Sequence, residues 1–461
     1  EARPAATNPV LRASTSGVPA LHHLKEFVPP SPSLQKKPAF IEPGALHQLR
    51  VLARDVLEEL ASLALLRTPT RDERWTMGAD FEVRLLQMLD AAITLSRGPI
   101  ALDIVHAARK RAQDFPVADP SRWFVPTFLL ACTESERAMD AMREIIIAGP
   151  EGAYTGFVDA VCLGSNPERI GMTFSLLDED DRPDILCLAL DIFARLGKPI
   201  EGRFLDLVEH PNPDVATRAM TAAAVVSDAP NLVARLQPLL GNADVSTHVA
   251  RILTVLAPEF GAPHLRDLVF RGAKEGASDD HKEQAVRAAE TLAALGQTRD
   301  TQLLLDLAKA TDAAFPALGT MGTPEALEFL RSEISRRGAT TWRADPCVLP
   351  LERITGLVEV DDSTPDGRVV AREQWLAKVL AFAVPNGAPR VRLGQAFQRS
   401  AIVDELRHAD TLVETRRMLI QEARVLGAKS IPVDLEGWIA PQLAWFDLAK
   451  QAGWPAPARR T

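Results

Sequence analysis

Apolar residues recur along most of the chain at a period close to 3.6, which places them on one face of an α-helix. In the first such segment the apolar stripe is formed by Leu49, Leu52, Val56, Leu60 and Leu63. Further segments of this kind lie at residues 79–96, 99–113, 120–132 and 134–148. The pattern therefore predicts a helical N-terminal region over residues 44–148.

A longer pattern recurs in the middle of the chain: a helix that ends in Leu-Gly or a similar pair, a brief turn, and a second apolar helix. Its clearest copies begin at Leu196-Gly197 and Leu295-Gly296. Six such anchors occur at positions 163, 196, 226, 256, 295 and 318, so that successive copies are 33, 30, 30, 39 and 23 residues apart. Recurrence at this spacing indicates an internal repeat, in which each helix pair buries its apolar faces against its neighbours.

Proline and glycine punctuate these repeats. Pro213 and Pro324 are expected in the first turn of their helices. Gly197, Gly296 and Gly319 follow a leucine and are expected to supply left-handed caps. The sequence thus predicts an all-α fold with an α-solenoid over residues 149–337. Its concave face would be made by second helices at about 201–210, 231–240, 263–273, 300–309 and 323–336.

The two ends of the chain are less regular. Residues 1–43 contain eight prolines, which predicts an extended arm, and an apolar island at 21–28 could dock on the body or on a partner. Residues 338–461 predict a helical cap region, with helices near 371–383, 402–407, 412–425 and 435–451. Trp438 and Trp445, seven residues apart on the last of these, are either core residues or part of an exposed apolar patch.

The repeat unit resembles HEAT repeats in its length and its Leu-Gly turn, so the predicted solenoid is one of HEAT-like helical hairpins. Two short segments also resemble a bacterial family of HEAT-repeat proteins often encoded near type VI secretion genes. They are residues 351–356 (Leu-Glu-Arg-Ile-Thr-Gly), and 392–394 (Arg-Leu-Gly) followed by the helix at 414–419. The resemblance implies a cytoplasmic accessory or adaptor protein and supplies no catalytic residues.

Composition adds limits to this picture. Hydrophobic residues make up 46% of the chain and charged residues 25%, so the chain can be ordered over most of its length. A net charge of −9 gives no general attraction to nucleic acid or to an anionic membrane, and no apolar run is long enough for a membrane span. The four cysteines are expected to be buried thiols in a reducing compartment: Cys132, Cys162, Cys187 and Cys347.

Signatures of catalysis are missing from the sequence. None of the nine histidines is followed by glutamate, the pair that HEAT-repeat di-iron hydroxylases use, and none has H-x-x-x-H spacing. The acidic cluster at 178–181 is expected to begin the next helix, with Pro183 in its first turn. The sequence therefore predicts a protein that is not an enzyme, with no catalytic, cofactor or metal residues and no evident small-molecule substrate.

A row of arginines is the candidate partner-binding feature. The arginines at 203, 235, 266, 299 and 331 are 32, 31, 33 and 32 residues apart, and such a row could clamp an acidic partner. Their offsets from the repeat anchors are 7, 9, 10, 4 and 13, which favours coincidence over equivalent positions. With one further arginine on the predicted concave face, the candidates are Arg203, Arg235, Arg266, Arg271, Arg299 and Arg331.

The leading hypothesis is a non-catalytic scaffold or adaptor that holds a protein partner on the solenoid surface. One alternative is a nucleic-acid-binding protein similar to HEAT-like DNA glycosylases, which would use a basic concave face. The basic cluster at 109–111 fits that alternative, whereas the net charge disfavours it. A protein that neutralises a toxin is the other alternative, and it would use the same surface.

Overall fold

The protein is all-α, as the apolar period predicts. Its structure, a computed structural model, describes residues 43–97, 103–198, 200, 202–226, 229–337, 345–358, 365–427 and 434–454. Within these ranges it contains 21 α-helices, several short 3-10 helices and one two-stranded β-hairpin. The predicted N-terminal arm, apart from Pro43, lies outside the described residues.

The helices group into two compact units, one drawn from Glu1–Val226 and Ser430–Trp445 and the other from Ser227–Lys429 and Phe446–Thr461. The helix α21, Ile439–Gln451, contributes residues to both. The first unit also contains α1 Pro43–Leu66, α2 Ala79–Arg97, α3 Ile104–Asp114, α4 Pro120–Ala131, α5 Glu136–Ala148, α6 Tyr154–Leu163, α7 Arg169–Glu179, α8 Pro183–Arg195 and α9 Pro213–Val226.

The second unit holds the remaining helices and the hairpin. Its helices are α10 Ala229–Leu236, α11 Ser246–Leu256, α12 Pro258–Gly272, α13 Asp279–Leu295, α14 Thr301–Ala310, α15 Phe315–Met321, α16 Pro324–Arg337, α17 Val348–Thr355, α18 Pro365–Ala381, α19 Ser400–Arg407 and α20 Val413–Val425. The strand β1, Val391–Arg392, pairs antiparallel with β2, Gln395–Ala396.

Within each unit, helices contact both their chain neighbours and the helices two positions away. In the first unit α4 packs on α6 and α6 on α8, while α5 packs on α7. In the second unit α11, α13, α15 and α17 contact one another in chain order, and so do α12, α14 and α16. Stacked helix pairs produce this pattern because each pair buries its faces against the next. The HEAT-like solenoid itself stays a prediction.

The apolar stripes of the sequence form the cores. In the first unit Val56, Leu60 and Leu63 of the α1 stripe pack with side chains of α2 and α4, whereas Leu52 of that stripe is 50% exposed. In the second unit the core runs from Ala250 through α12 to α17 and includes side chains around α18. The helix predicted at 231–240 is shorter in the structure, because Pro238 has no backbone N–H to donate to a continuing helix. There α10 ends at Leu236 and residues 237–241 form a 3-10 helix.

The glycine caps follow the predicted rule at some anchors and depart from it at others. Gly197 and Gly296 have φ values of +60° and +69°, as a left-handed cap requires. Gly319, however, lies inside α15, and the left-handed cap is Gly322 with a φ of +64°. A Cβ atom at Gly319 would lie 2.7 Å from the Cα of Pro350. Gly319 therefore serves the close packing of α15 on α17.

The acidic cluster at 178–181 does not begin a helix, contrary to expectation. Asp178 and Glu179 are the last residues of α7, and Asp180 caps the amide of Arg182 in the linker that follows. Pro183 does occupy the first turn of α8, as predicted. The prediction was wrong because only a short linker separates α7 from α8. A run of carboxylates at such a place can end the first helix or precede the second.

Candidate functional site

Two of the predicted arginines meet on one glutamine. Arg266 donates to both carboxylate oxygens of Asp300, at 2.7 and 3.1 Å, and to the side-chain oxygen of Gln297 at 2.8 Å. Arg299 donates to the same Gln297 oxygen at 2.9 Å. Asp300 is buried and Arg266 half-buried, whereas Arg299 is exposed. Arg266 therefore connects α12 to the start of α14, and Arg299 remains accessible beside it.

The side chain of Arg331 binds the C-terminal end of a helix. Its guanidinium donates to the carbonyl oxygens of Val379, at 3.0 and 2.7 Å, and of Phe382 at the C-terminus of α18. A cation at this end of a helix is favourable because the last carbonyls lack partners within the helix. Arg235 is half-buried near the end of α10, and the side chain of Arg203 lies outside what the structure describes.

The remaining candidate, Arg271, lies on the exposed face of α12. Residues 3, 4, 7, 10, 11 and 14 positions apart fall near one side of a helix. The exposed face of α12 combines two aromatic rings with a proline and charged groups, and Lys274 extends it two residues past the end of the helix: Phe260, Pro263, Asp267, Phe270, Arg271 and Lys274. Phe260 is 44% exposed and Phe270 55%. We refer to these six residues as the α12 face.

Positive groups lie at the Phe270 end of the α12 face. The Lys274 ammonium lies 4.7 Å from the centre of the Phe270 ring, and Arg271 pairs with Asp267 one turn away at 2.8 Å. Burial and the positive charge of Arg271 lower the pKa of the neighbouring His264, so its imidazole is neutral at pH 7. The α12 face thus presents two apolar rings with a positive group at its C-terminal end.

The two phenylalanines were missed by the sequence reasoning, although a signal was present. The buried face of α12 consists of small and aliphatic residues: Gly261, Ala262, Leu265, Leu268, Val269 and Gly272. Phe260 and Phe270 do not share that periodic stripe. An aromatic residue that falls off the apolar stripe of its own helix is the signal that would have identified this face.

The two segments that carry the family resemblance contact each other in the second unit. The turn of the hairpin is formed by Leu393 and Gly394, with φ values of +50° and +77°. Their amides donate to the carbonyl oxygens of Arg353 and Ile354, each at 2.9 Å. These are carbonyls at the C-terminus of α17, so the hairpin caps that helix.

A buried ionic network lies beneath the hairpin. Arg392 donates to Glu405 at 2.7 Å and to both oxygens of Glu422 at 2.9 Å. Arg390 and Arg353 also donate to Glu422, at 3.1 and 3.2 Å. All five residues are buried, and Glu422 has no exposed area. Three guanidinium groups therefore surround two carboxylates in the interior of the unit.

The end of α15 helps to balance the extra positive charge. The Thr320 carbonyl accepts from Arg390 at 2.9 Å and from Arg392 at 3.2 Å, and the Met321 carbonyl accepts from Arg390 at 2.9 Å. Helix C-termini carry partial negative charge, which favours cations. Because both carboxylates are engaged by guanidinium groups, the network is suited to holding α15, α17, α19 and α20 together.

Because of this network, the stability of the fold depends on pH. Burial alone would raise the pKa of Glu422, but the charges of Arg392, Arg353 and Arg390 lower it below its ordinary value. A lowered folded-state pKa stabilises the fold above the unfolded-state pKa of about 4.3, and this stability is lost as the pH falls through the folded value. Between pH 5 and 3 we expect the free energy of unfolding to fall more steeply in wild type than in Glu422→Gln. Urea denaturation at each pH measures the difference.

Thiols and metal ligands do not form a site among the described residues. All four cysteines carry free thiols and are buried, as the sequence predicts. Burial raises the pKa of Cys132 to about 11, which makes the reactive thiolate rare at neutral pH. Within the described ranges, no three or more His, Cys, Asp or Glu side chains are grouped closely enough to hold a metal ion.

None of the described helices is both long and apolar enough to cross a membrane.

Comparison with known proteins does not assign the chain to a family. No protein-family model matches the chain, and no curated protein matches its sequence. The HEAT-like resemblance therefore stays a prediction.

Proposed function

We propose that this protein is a non-catalytic scaffold or adaptor that binds a protein partner, and that the α12 face is the centre of the binding surface. The observation that carries the proposal is the exposure of Phe260 and Phe270 on a helix whose other face is fully packed. Aromatic residues are enriched among the residues that dominate protein interfaces. The contacts between helices two positions apart in the chain support the proposal, because the HEAT-like arrays that they would fit present long surfaces to partners.

The charges around the rings indicate the chemistry of the partner. Arg271 and Lys274 are exposed on the α12 face, and Arg299 is exposed next to Gln297, which accepts from Arg266 of α12. A partner that covers the rings with apolar side chains and places a carboxylate near Lys274 would fit this arrangement. The buried free thiols fit a reducing compartment, so we propose that the complex forms in the cytoplasm.

A double substitution, Phe260→Ser with Phe270→Ser, tests the proposal. About half of each residue is exposed, so each change should lower the free energy of unfolding by about 1 kcal/mol and leave the protein folded. We expect the amount of partner that co-purifies with the full chain to fall at least about tenfold, because truncation of a central residue that dominates an interface costs about 2 kcal/mol or more. Quantitative mass spectrometry of affinity-captured protein measures the change.

A matched control lies in the first unit, where Val83 on α2 is 57% exposed. Val83→Ser removes exposed apolar area without touching α12. The partner should be retained by this variant. Equal retention by the double variant and the control would show that the α12 face does not carry binding.

A further inference from the structure

A short acidic and aromatic segment of the first unit packs against distant residues of the same unit as a bound peptide would. Residues 434–439, Asp-Leu-Glu-Gly-Trp-Ile, contact residues that precede them by 239 to 369 positions. Asp434 accepts from Nε of Arg195 at 3.3 and 3.2 Å and from its Nη2 at 2.9 Å. Only 14% of the Arg195 side chain and 16% of the Asp434 side chain are exposed. The Asp434 carboxylate therefore accepts from two nitrogens of one guanidinium group, in a contact that is largely buried.

The indole is held as specifically as the carboxylate. Trp438 donates from its ring nitrogen to the carbonyl oxygen of Leu163 at 3.2 Å. Its ring lies 6.2 Å from that of Phe128, and the guanidinium of Arg67 lies 5.7 Å from the indole centre. Trp438 is thus half-buried against the core of the first unit, which is the first of the two alternatives left open for it.

The backbone of the segment is recognised too. Arg67 donates to the carbonyl oxygen of Glu436 at 2.8 Å, and Glu82 accepts from the amide of Ile439 at 2.9 Å. The side chains of Arg67 and Glu82 are 3% and 9% exposed. The two groups also pair with each other, since Nη2 of Arg67 lies 3.7 Å from a carboxylate oxygen of Glu82. Their further hydrogen bonds go to the backbone of the segment, and buried charged groups that lose hydrogen bonds are costly, so the groove favours an occupant.

The occupant has a locally determined shape. The Asp434 side chain accepts from the amide of Glu436 at 3.0 Å, and the Asp434 carbonyl accepts from the amide of Gly437 at 3.2 Å. Such turns form between residues that are close in sequence. A separate peptide of the same sequence can therefore adopt the same turn without the rest of the chain.

We propose that the groove lined by Arg67, Glu82, Phe128, Leu163 and Arg195 is a peptide-recognition site. It accepts a partner segment that carries an aspartate and, four residues later, a tryptophan. The chain's own residues 434–439 occupy the groove in this structure and compete with that segment. The groove lies in the first unit and shares no residue with the α12 face, so either proposal can fail without the other.

Binding of a labelled synthetic peptide of residues 431–442 to the full chain tests this proposal. A tethered segment competes at an effective concentration on the order of millimolar, so the wild type should bind the peptide only weakly. In Trp438→Ala the tethered copy is weakened, and the peptide should bind at least about tenfold more tightly than to wild type. Adding Arg195→Met to that variant should remove the gain, and a peptide with alanine in place of tryptophan should not bind.

Binding of the intact peptide to folded Trp438→Ala no tighter than the alanine peptide would overturn the proposal. Circular dichroism establishes that the variant is folded. If Trp438→Ala does not fold, Asp434→Asn, which keeps the indole, replaces it under the same criteria. A wild-type dimer that disappears in Trp438→Ala would assign the occupant to a second copy of the chain and would also overturn the partner peptide.

Discussion

Glu422→Gln should destabilise the protein by about 3–5 kcal/mol, the range found when one member of a buried ion pair is removed. The substitution keeps the size of the side chain but removes the charge that Arg353, Arg390 and Arg392 share. Glu405 would then be the one carboxylate left among the five members of the network. Urea unfolding at pH 7, followed by circular dichroism, measures the loss.

The matched control for this change is Glu283→Gln. Glu283 pairs with Arg287 one turn along α13, and the two side chains are 64% and 59% exposed. Exposed pairs of this kind contribute only about 0.3–0.5 kcal/mol. A loss below about 1 kcal/mol for Glu422→Gln would mean that the buried network does not hold the second unit together.

Gly322→Ala should cost about 3 kcal/mol or more. The left-handed backbone alone costs a residue with a Cβ about 1–2 kcal/mol. In addition, the new Cβ would overlap the carbonyl oxygen of Val391, whose amide donates to the Gly322 carbonyl at 2.6 Å. Because Val391 begins the hairpin, its displacement would also disturb Arg390 and Arg392. The midpoint of thermal unfolding gives a first measure of the loss of stability. Urea titration gives the change in the free energy of unfolding.

Gly276→Ala separates the two contributions. Gly276 has a φ of +78°, but a Cβ there would meet nothing within 4 Å. This variant should therefore show the backbone cost alone, about 1–2 kcal/mol. Equal losses at the two positions would show that the contact between the hairpin and the cap of α15 contributes nothing to stability.

The helices were predictable because their apolar period is a local property of the sequence. The stripe of α1 and the proline at the start of α8 each involve residues close together in the chain, and both helices form where these signals predict them. The cap of α15 was not predictable in the same way, since Gly319 and Gly322 both follow leucine or methionine near a helix end. Packing against Pro350, which is distant in sequence, decides which glycine has which role.

The candidate site was less accessible to sequence reasoning. The row of arginines has a regular spacing, but spacing does not reveal that Arg266 contacts a buried aspartate or that Arg331 caps another helix. The hydrogen-bonded pairs of the Glu422 network are 13 to 69 positions apart, and nothing local marks them as partners. By contrast, Phe260 and Phe270 could have been found, because both fall outside the apolar stripe of α12.

The most direct test of partner binding at the α12 face is the dissociation constant of the purified complex. The partner is first identified by photo-crosslinking from position 270 in cells, with position 115, an exposed phenylalanine of the first unit, as the comparison. Isothermal titration calorimetry of the purified pair then compares wild type, the Phe260→Ser/Phe270→Ser variant and Val83→Ser. We predict at least about tenfold weaker binding for the double variant and unchanged binding for Val83→Ser. Equal dissociation constants for wild type and the double variant would contradict a binding surface centred on α12.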